Sequence, residues 1–257
     1  MYEKHMVSFV KMGKICYGKI EEKCMSKFVC IMLAGGKGKR MGGKVSKQFL
    51  LLEDKPVLYY SLKAFEPYMD EIILVAASGE EEFCRKEIVE KFGIGKVSKI
   101  VAGGAERYLS VYEGLKSVDA SEDTYVLVHD GARPFISGET ISRIIEGVKE
   151  KKACIAAVPS KDTIKIGNDS NEVVDTPNRN NVWVVQTPQA FEYESIMKAY
   201  TTAVASGRTD ITDDSMVMES FGEEKVHFVM GQYDNIKLTT PEDMVMGMAI
   251  LRAKTGI

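Results

Sequence analysis

The sequence predicts an α/β protein: a mostly parallel, twisted sheet with helices on both faces. Three observations lead there. Short continuous apolar runs recur along the chain and end in glycine or aspartate, as strands buried on both faces do. Stretches with helical start and stop signals lie between them. The residues with unusual chemistry cluster directly after the apolar runs, where ligands gather in open parallel sheets.

Taken in order, residues 28–34 (FVCIMLA) form the first predicted strand, followed by 72–77, 97–101, 125–128 and 153–158. The intervening stretches 56–66, 80–92, 106–118 and 138–152 read as helices, the first with Pro56 in its opening turn. Residues 48–52, between the first strand and the first helix, read as extended. This strand–helix alternation gives a parallel sheet. After Val158 it breaks. Residues 163–166 and 172–174 flank Gly167-Asn168-Asp169-Ser170, a hairpin signal. Neither flank is apolar enough to bury alone, so residues 160–180 or so read as an arm that packs on something else, such as a second subunit. The chain then returns through a strand at 182–185, a helix at 192–206, a strand at 226–230 and a last helix at 241–254.

The 257 residues carry 34 Lys+Arg against 37 Asp+Glu, too even a balance for a polynucleotide-binding protein, which needs a strongly basic face. No apolar run approaches the ~20 residues of a membrane span. The five cysteines include no C-x-x-C pair and the three histidines lie far apart, so neither a disulfide framework nor a zinc site is indicated. Reduced thiols in a cytoplasmic protein are the simplest reading. Residues 1–27 mix six lysines with three glutamates and show no period, which reads as a loose extension rather than a signal or transit peptide. Met25 is an alternative start, and residues 28–257 form the expected domain.

The first strand runs into a loop in which residues 35–47 contain five glycines, five bases and no acid. Glycines let backbone N–H groups approach a phosphate, and lysine and arginine neutralise its charge. A dinucleotide fingerprint fails because Met41 stands where the third glycine belongs. A P-loop fails because Val45 replaces the Mg²⁺-binding hydroxyl after Lys44. The phosphorylated ligand is therefore expected on another kind of nucleotide site. Asp130 follows an apolar strand, and Asp234 follows 226–230. Two carboxylates converging on one Mg²⁺ beside a basic loop suit phosphoryl or nucleotidyl transfer. Gly103-Gly104-Ala105 ends another strand, at a place where backbone groups could read a base or ribose edge. His129 reads as a packed, hydrogen-bonded histidine, and the 14 methionines as core filler.

These residues form a recognisable set. Leu33-Ala34-Gly35-Gly36-x-Gly38-x-Arg40-Met41 with Lys47-Gln48 is followed by Gly103-Gly104-x-Glu106-Arg107-x-x-Ser110-Val111. Then come His129-Asp130-x-Ala132-Arg133-Pro134, Lys161-Asp162-Thr163-Ile164-Lys165, Gln186-Thr187-Pro188-Gln189 and Asp234-Asn235-Ile236-Lys237. The set resembles the cytidylyltransferases of sugar-alcohol phosphates over about residues 28–254. It looks most like their methylerythritol-phosphate branch, of non-mevalonate isoprenoid synthesis. The ribitol 5-phosphate branch shares most motifs, but residues 130–133 and 185–189 look more like the former. Ala105, Tyr108-Leu109 and Gly131 depart from the family's usual residues.

The resemblance implies a Rossmann-like nucleotidyltransferase fold and a homodimer whose hairpin arm reaches into the partner. It implies transfer of the cytidylyl group of CTP to an alditol phosphate, with Mg²⁺ and release of pyrophosphate. Arg40 and Lys47 would be catalytic. Ala34, Gly35, Gly36, Gly38, Gly103, Gly104, Ala105, Ser110 and Asp130 would hold the nucleotide. Thr163, Arg179, Thr187, Thr212 and Lys237 would hold the acceptor, the first two from the partner's arm. Asp130 and Asp234 would bind the metal. The alternative of another class is a non-catalytic nucleotide-binding regulatory module, which would usually have lost one of Asp130, Asp234, Arg40 or Lys47; all four are present.

Overall fold

The computed structural model describes residues 10–11, 14–15, 26–36 and 46–256. The expected loose extension lies largely outside them; within it, Val10–Lys11 pairs antiparallel with Lys14–Ile15. Seven strands make the main sheet: β1 (Lys27–Ala34), β2 (Glu71–Ala76), β3 (Val97–Ala102), β4 (Thr124–Asp130), β5 (Ala153–Pro159), β8 (Trp183–Glu192) and β9 (His227–Met230). Two short strands, β6 (Ile166–Gly167) and β7 (Val173–Asp175), pair in the arm. The sheet order is β9-β5-β8-β4-β1-β2-β3. Every neighbouring pair is parallel except those of β8, which runs antiparallel to both β4 and β5.

Period-two alternation divides the apolar strands between two cores. Cys30, Met32, Ile72 and Leu74 face α1 (Val57–Phe65) and α3 (Gly138–Lys151), against Leu58, Leu62, Phe65, Ile141 and Ile144. Their sequence neighbours Val29, Ile31, Ile73 and Val75 face α2 (Arg107–Lys116), α4 (Tyr193–Ala205) and α5 (Asp214–Phe221). Each fully buried Leu, Ile or Phe in such layers contributes about 1.5–3 kcal/mol. Helix α2 comes close enough to the sheet that a Cβ on Gly114 would lie 2.6 Å from Ile31 Cγ2. A third, smaller core holds α6 (Pro241–Thr255) against Leu52, Val57 and Phe135. Local chemistry sets the helix ends: Ser137 accepts from Thr140 N at the start of α3, and Thr240 and Asp243 form a capping box before Pro241.

Four expectations are corrected. Residues 48–52 are not one extended run: Lys47–Phe49 is a 3-10 turn, and Leu51–Leu52 then pairs with Lys55–Pro56. The helix expected over 80–92 is α-helical at Glu81–Phe83 and winds as a π-helix over Cys84–Glu90. The strand expected to stop at 185 continues to Glu192 through a register shift between Val185 and Gln189. Its polar residues hid it, because side-chain partners replace apolar contacts: Gln189 donates to Asp213 Oδ2 at 2.9 Å and accepts from Ser215 N at 2.9 Å. Helix α5 has no counterpart in the sequence reading; its polar start is capped by Asp213, which accepts from Met216 N.

Cys30, Cys84 and Cys154 are buried and unbridged. Burial pushes the Cys84 and Cys154 thiols up to about 12, and raises Cys30 well above its ordinary value. These three should resist alkylation at pH 8 in the native state and react fully in denaturant, since the thiolate is the nucleophile. Peptide mapping after iodoacetamide treatment checks this, and native labelling of any of the three contradicts it.

Candidate active site

The C-terminal ends of β1 to β4 open onto one cavity of about 700 Å³. Gly35 and Gly36 line it after β1, and Gly103, Gly104 and Ala105 line it after β3. The second turn admits no side chain at its start. A Cβ on Gly103 would sit 2.7 Å from Ser110 Oγ and 3.1 Å from Ala76 O, and one on Gly104 would sit 2.5 Å from Leu109 Cβ. This close approach leaves Gly103, Gly104 and Ser110, at the start of α2, facing the space. Lys47 also lines the cavity, its Cε 3.6 Å from where a Cβ on Gly36 would stand. Beside it, buried Gln48 donates to the Ala34 carbonyl, and Ser46 donates to Glu80 Oε1 at 2.8 Å, so the turn carrying Lys47 is tied to the end of β1.

The floor is charged. Asp130, the last residue of β4, meets Lys237 Nζ at 2.8 Å, Arg107 Nε at 3.2 Å and Arg133 Nε at 3.9 Å. Burial alone would raise its carboxyl, but the surrounding Arg107, Lys237 and Arg133 charges prevail and hold it far below the usual carboxylate range. Arg107 also forks onto buried Asp214, with Nη1 and Nη2 at 3.0 and 2.9 Å. Beside Asp130, His129 is fully buried. Its ring pairs with Thr187 Oγ1 (3.1 Å) and the Arg133 carbonyl (3.2 Å), and lies against Phe65. Burial lowers it to about 4, so it stays neutral and structural, as expected of a packed histidine.

A buried amide network ties the loop after β9 to β8. Asn235 Nδ2 donates to the Thr187 carbonyl at 2.9 Å and to Gln186 Oε1 at 3.2 Å, and its own carbonyl accepts from Arg133 at 2.8 Å. Gln186 in turn donates to the Gln232 carbonyl at 2.7 Å, and Leu238 N donates to the Ala132 carbonyl at 2.8 Å. These bonds bring Lys237 over Asp130. Asn235→Ala would strand two buried acceptors, at about 1–3 kcal/mol each. The expected result is a fall in Tm of roughly 5–20 °C by calorimetry, and an unchanged Tm would show that the network carries no stability.

Of the expected site residues, the fold brings Gly35, Gly36, Lys47, Gly103, Gly104, Ala105, Ser110, Asp130 and Lys237 to the cavity wall. Ala34 is buried just behind it. Gly38 and Arg40 lie outside the described residues. Thr187 sits behind Asp130, its hydroxyl accepting from the Asp130 N–H at 3.1 Å. Thr212 is exposed just ahead of α5, and Thr163 and Arg179 are exposed on the arm rather than at this cavity. Asp234 pairs through Oδ2 with Lys254 at 2.8 Å, while its Oδ1 is buried without a partner among the described residues. Among those residues no three His, Cys, Asp or Glu converge. Oxygen donors from one or two carboxylates suit Mg²⁺, which takes its remaining ligands from water and phosphate. Gln48, Asn235 and Arg107 stand in the sequence motifs, but their pairing roles do not show there. Asp214 carries no signal in the sequence.

A family model described as 2-C-methyl-D-erythritol 4-phosphate cytidylyltransferase matches residues 28–253, which include every residue of this cavity. The chain belongs to this cytidylyltransferase family. A relative of that name from Lachnoclostridium phytofermentans is 50% identical over 229 residues, covering 89% of this chain and 97% of the relative. One from Alkaliphilus metalliredigens is 49% identical over 231 residues, covering 89% and 95%. The crystal structure of 4-diphosphocytidyl-2C-methyl-D-erythritol synthase from Anaerococcus prevotii is similar at a TM-score of 0.76 and 38% identity. It covers 88% of this chain and 99% of that one. The cytidylyltransferase family thus accounts for the seven-stranded sheet as well as for the strand-end cavity.

Proposed function

We infer that this chain transfers the cytidylyl group of CTP to 2-C-methyl-D-erythritol 4-phosphate, giving the CDP-alcohol and pyrophosphate in isoprenoid precursor synthesis. The observation that carries this is the family match across a cavity whose glycine walls and lysines suit a nucleoside triphosphate. The relatives' shared name favours methylerythritol 4-phosphate over the ribitol acceptor and over a non-catalytic nucleotide-binding module.

A phosphate oxygen of the acceptor attacks the α-phosphorus of CTP. The new P–O bond forms as the bond to the bridging oxygen of the β-phosphate breaks, and pyrophosphate leaves. Negative charge builds on the α-phosphate and the leaving group, so electrostatic stabilisation is the main lever. Lys47 and Arg40 supply it. Gly35, Gly36 and Gly38 let the backbone approach the phosphates, while Gly103, Gly104, Ala105 and Ser110 surround cytosine and ribose. Asp130 and Asp234 hold Mg²⁺, which when bound neutralises phosphate charge. Lys237, Thr187 and Thr212 bind the acceptor's phosphate and hydroxyls, joined by Thr163 and Arg179 from the arm of a second copy.

The homodimer is supported by the arm, which leaves Ile164, Ile166, Val173 and Val174 exposed. Val184, Phe228 and Met230 are also exposed on β8 and β9, where Phe228 stacks on Trp183 at 5.0 Å. Large apolar side chains exposed in such numbers suit an interaction site. A cytoplasmic location is supported by the unbridged thiols, and no described helix is long and apolar enough to cross a membrane.

The test is a coupled pyrophosphate assay with CTP, with methylerythritol 4-phosphate and ribitol 5-phosphate run side by side. Mg²⁺-dependent release with the first and little with the second is expected. Faster release with ribitol 5-phosphate would reassign the acceptor, and CTP binding without turnover on either would favour the regulatory module.

A further inference from the structure

Arg107 reaches the cavity floor from the first residue of α2 and divides its guanidinium between two carboxylates. Asp214 takes the bidentate fork, at 3.0 and 2.9 Å, and Asp130 takes only Nε, at 3.2 Å. Asp214 is fully buried at the start of α5, and the buried Tyr200 hydroxyl donates to its Oδ1 at 2.5 Å. Neither Asp214 nor Tyr200 lines the cavity, so neither is placed to touch substrate. A bidentate guanidinium–carboxylate pair is the strongest such contact, and it spends most of the arginine's donors and charge. Asp130 is the only other carboxylate to which Arg107 bonds among the described residues. Without Asp214, the whole fork and its full charge would turn on Asp130 and compete with any cation there.

We propose that Asp214, braced by Tyr200, is a positioning residue that sets cation affinity at Asp130 by holding the Arg107 guanidinium to itself. The proposal rests on the reading of Asp130 as a cation ligand. It differs from a merely structural role in predicting opposite effects for the two members of one ion pair. Asp214→Asn frees Arg107 and weakens cation binding. Arg107→Gln removes the competitor and strengthens it. Arg107→Gln/Asp214→Asn removes both charges and returns affinity to near its starting value.

The test measures Mn²⁺ binding to the full chain by the loss of the free-ion electron paramagnetic resonance signal, without nucleotide, which would itself chelate the ion. Relative to the unaltered protein, a unit charge released a few ångströms from the ion should change affinity about tenfold or more in each single variant. The double variant should lie within about threefold of the start, since the two perturbations share one contact and cancel. Equal affinity in all four proteins, or a double variant as weak as Asp214→Asn, overturns the proposal. Asp214→Asn removes the bidentate partner of a half-buried arginine and can fail to fold. Arg107→Gln and the double variant then decide: tighter binding in the first with near-normal binding in the second supports the proposal, and equal affinity in both, or lost binding in the double variant, overturns it. If the unaltered protein binds no Mn²⁺, the reading of Asp130 as a cation ligand falls first, and the role of Asp214 with it.

Discussion

Lys47→Ala is expected to lower kcat by roughly 10²–10³-fold, the loss typical when one preorganised donor to a developing oxyanion is removed. Lys47 lines the cavity from the turn that Gln48 and Ser46 tie to β1 and Glu80, two bonds that Lys47→Ala leaves in place. The variant should therefore keep its Tm within about 2 °C of the unaltered protein, in line with substitutions that leave buried contacts intact. Its kcat and kcat/KM should fall together, because the contact matters most when negative charge peaks in the transition state. Steady-state kinetics with CTP and methylerythritol 4-phosphate, paired with calorimetry, read both quantities. Turnover within a few-fold of normal would remove Lys47 from the chemistry.

Asp130→Asn should differ in kind, because Asp130 is both the proposed cation ligand and the counter-ion of three bases. Turnover should fall by about 10³-fold or more, as expected when charge stabilisation by a bound cation is lost. The same change leaves Arg107, Arg133 and Lys237 gathered around a neutral amide. Removing one partner of a buried ion pair costs about 3–5 kcal/mol. Lys237 is about one-third exposed and screened by solvent, and Arg107 keeps Asp214, so about 2–3 kcal/mol is the better expectation. That corresponds to a fall in Tm of roughly 5–10 °C for a chain of this size. Assays at 20 °C separate the two effects. Full stability with lost turnover would make Asp130 purely a ligand; lost stability with retained turnover would make it purely structural.

The contrast between these variants reflects how different parts of the site are encoded. The glycine pairs after β1 and β3 were legible because a strand that runs into paired glycines states its backbone need locally, and the bases after β1 add their charge. Asp130 was legible for a similar reason, standing at the end of an apolar run. The β8 segment was only half legible. Gln186, Thr187 and Gln189 break the apolar pattern of a central strand, and nothing nearby in sequence shows that Asn235, Asp130 and Asp213 will satisfy them. The helix of Asp214 was missed because its opening residues look like loop until Asp213 is seen to cap it.

The strand–helix alternation, the two-sided burial of β1, β2, β4 and β5, the glycine-rich basic loop and the family can all be read along the chain. Each of these depends on spacing along the chain: period two for burial, glycine for turns, and motif order for descent. Which charges meet is settled by the packing of the strands and helices. Arg107 finds Asp214 across 107 residues of chain and Asp130 across 23, and Asn235 joins Gln186 across 49. Partner choice among buried charges depends on distance and desolvation in three dimensions. Neither leaves a period in the sequence, so the cavity floor became readable only once the strands stood side by side.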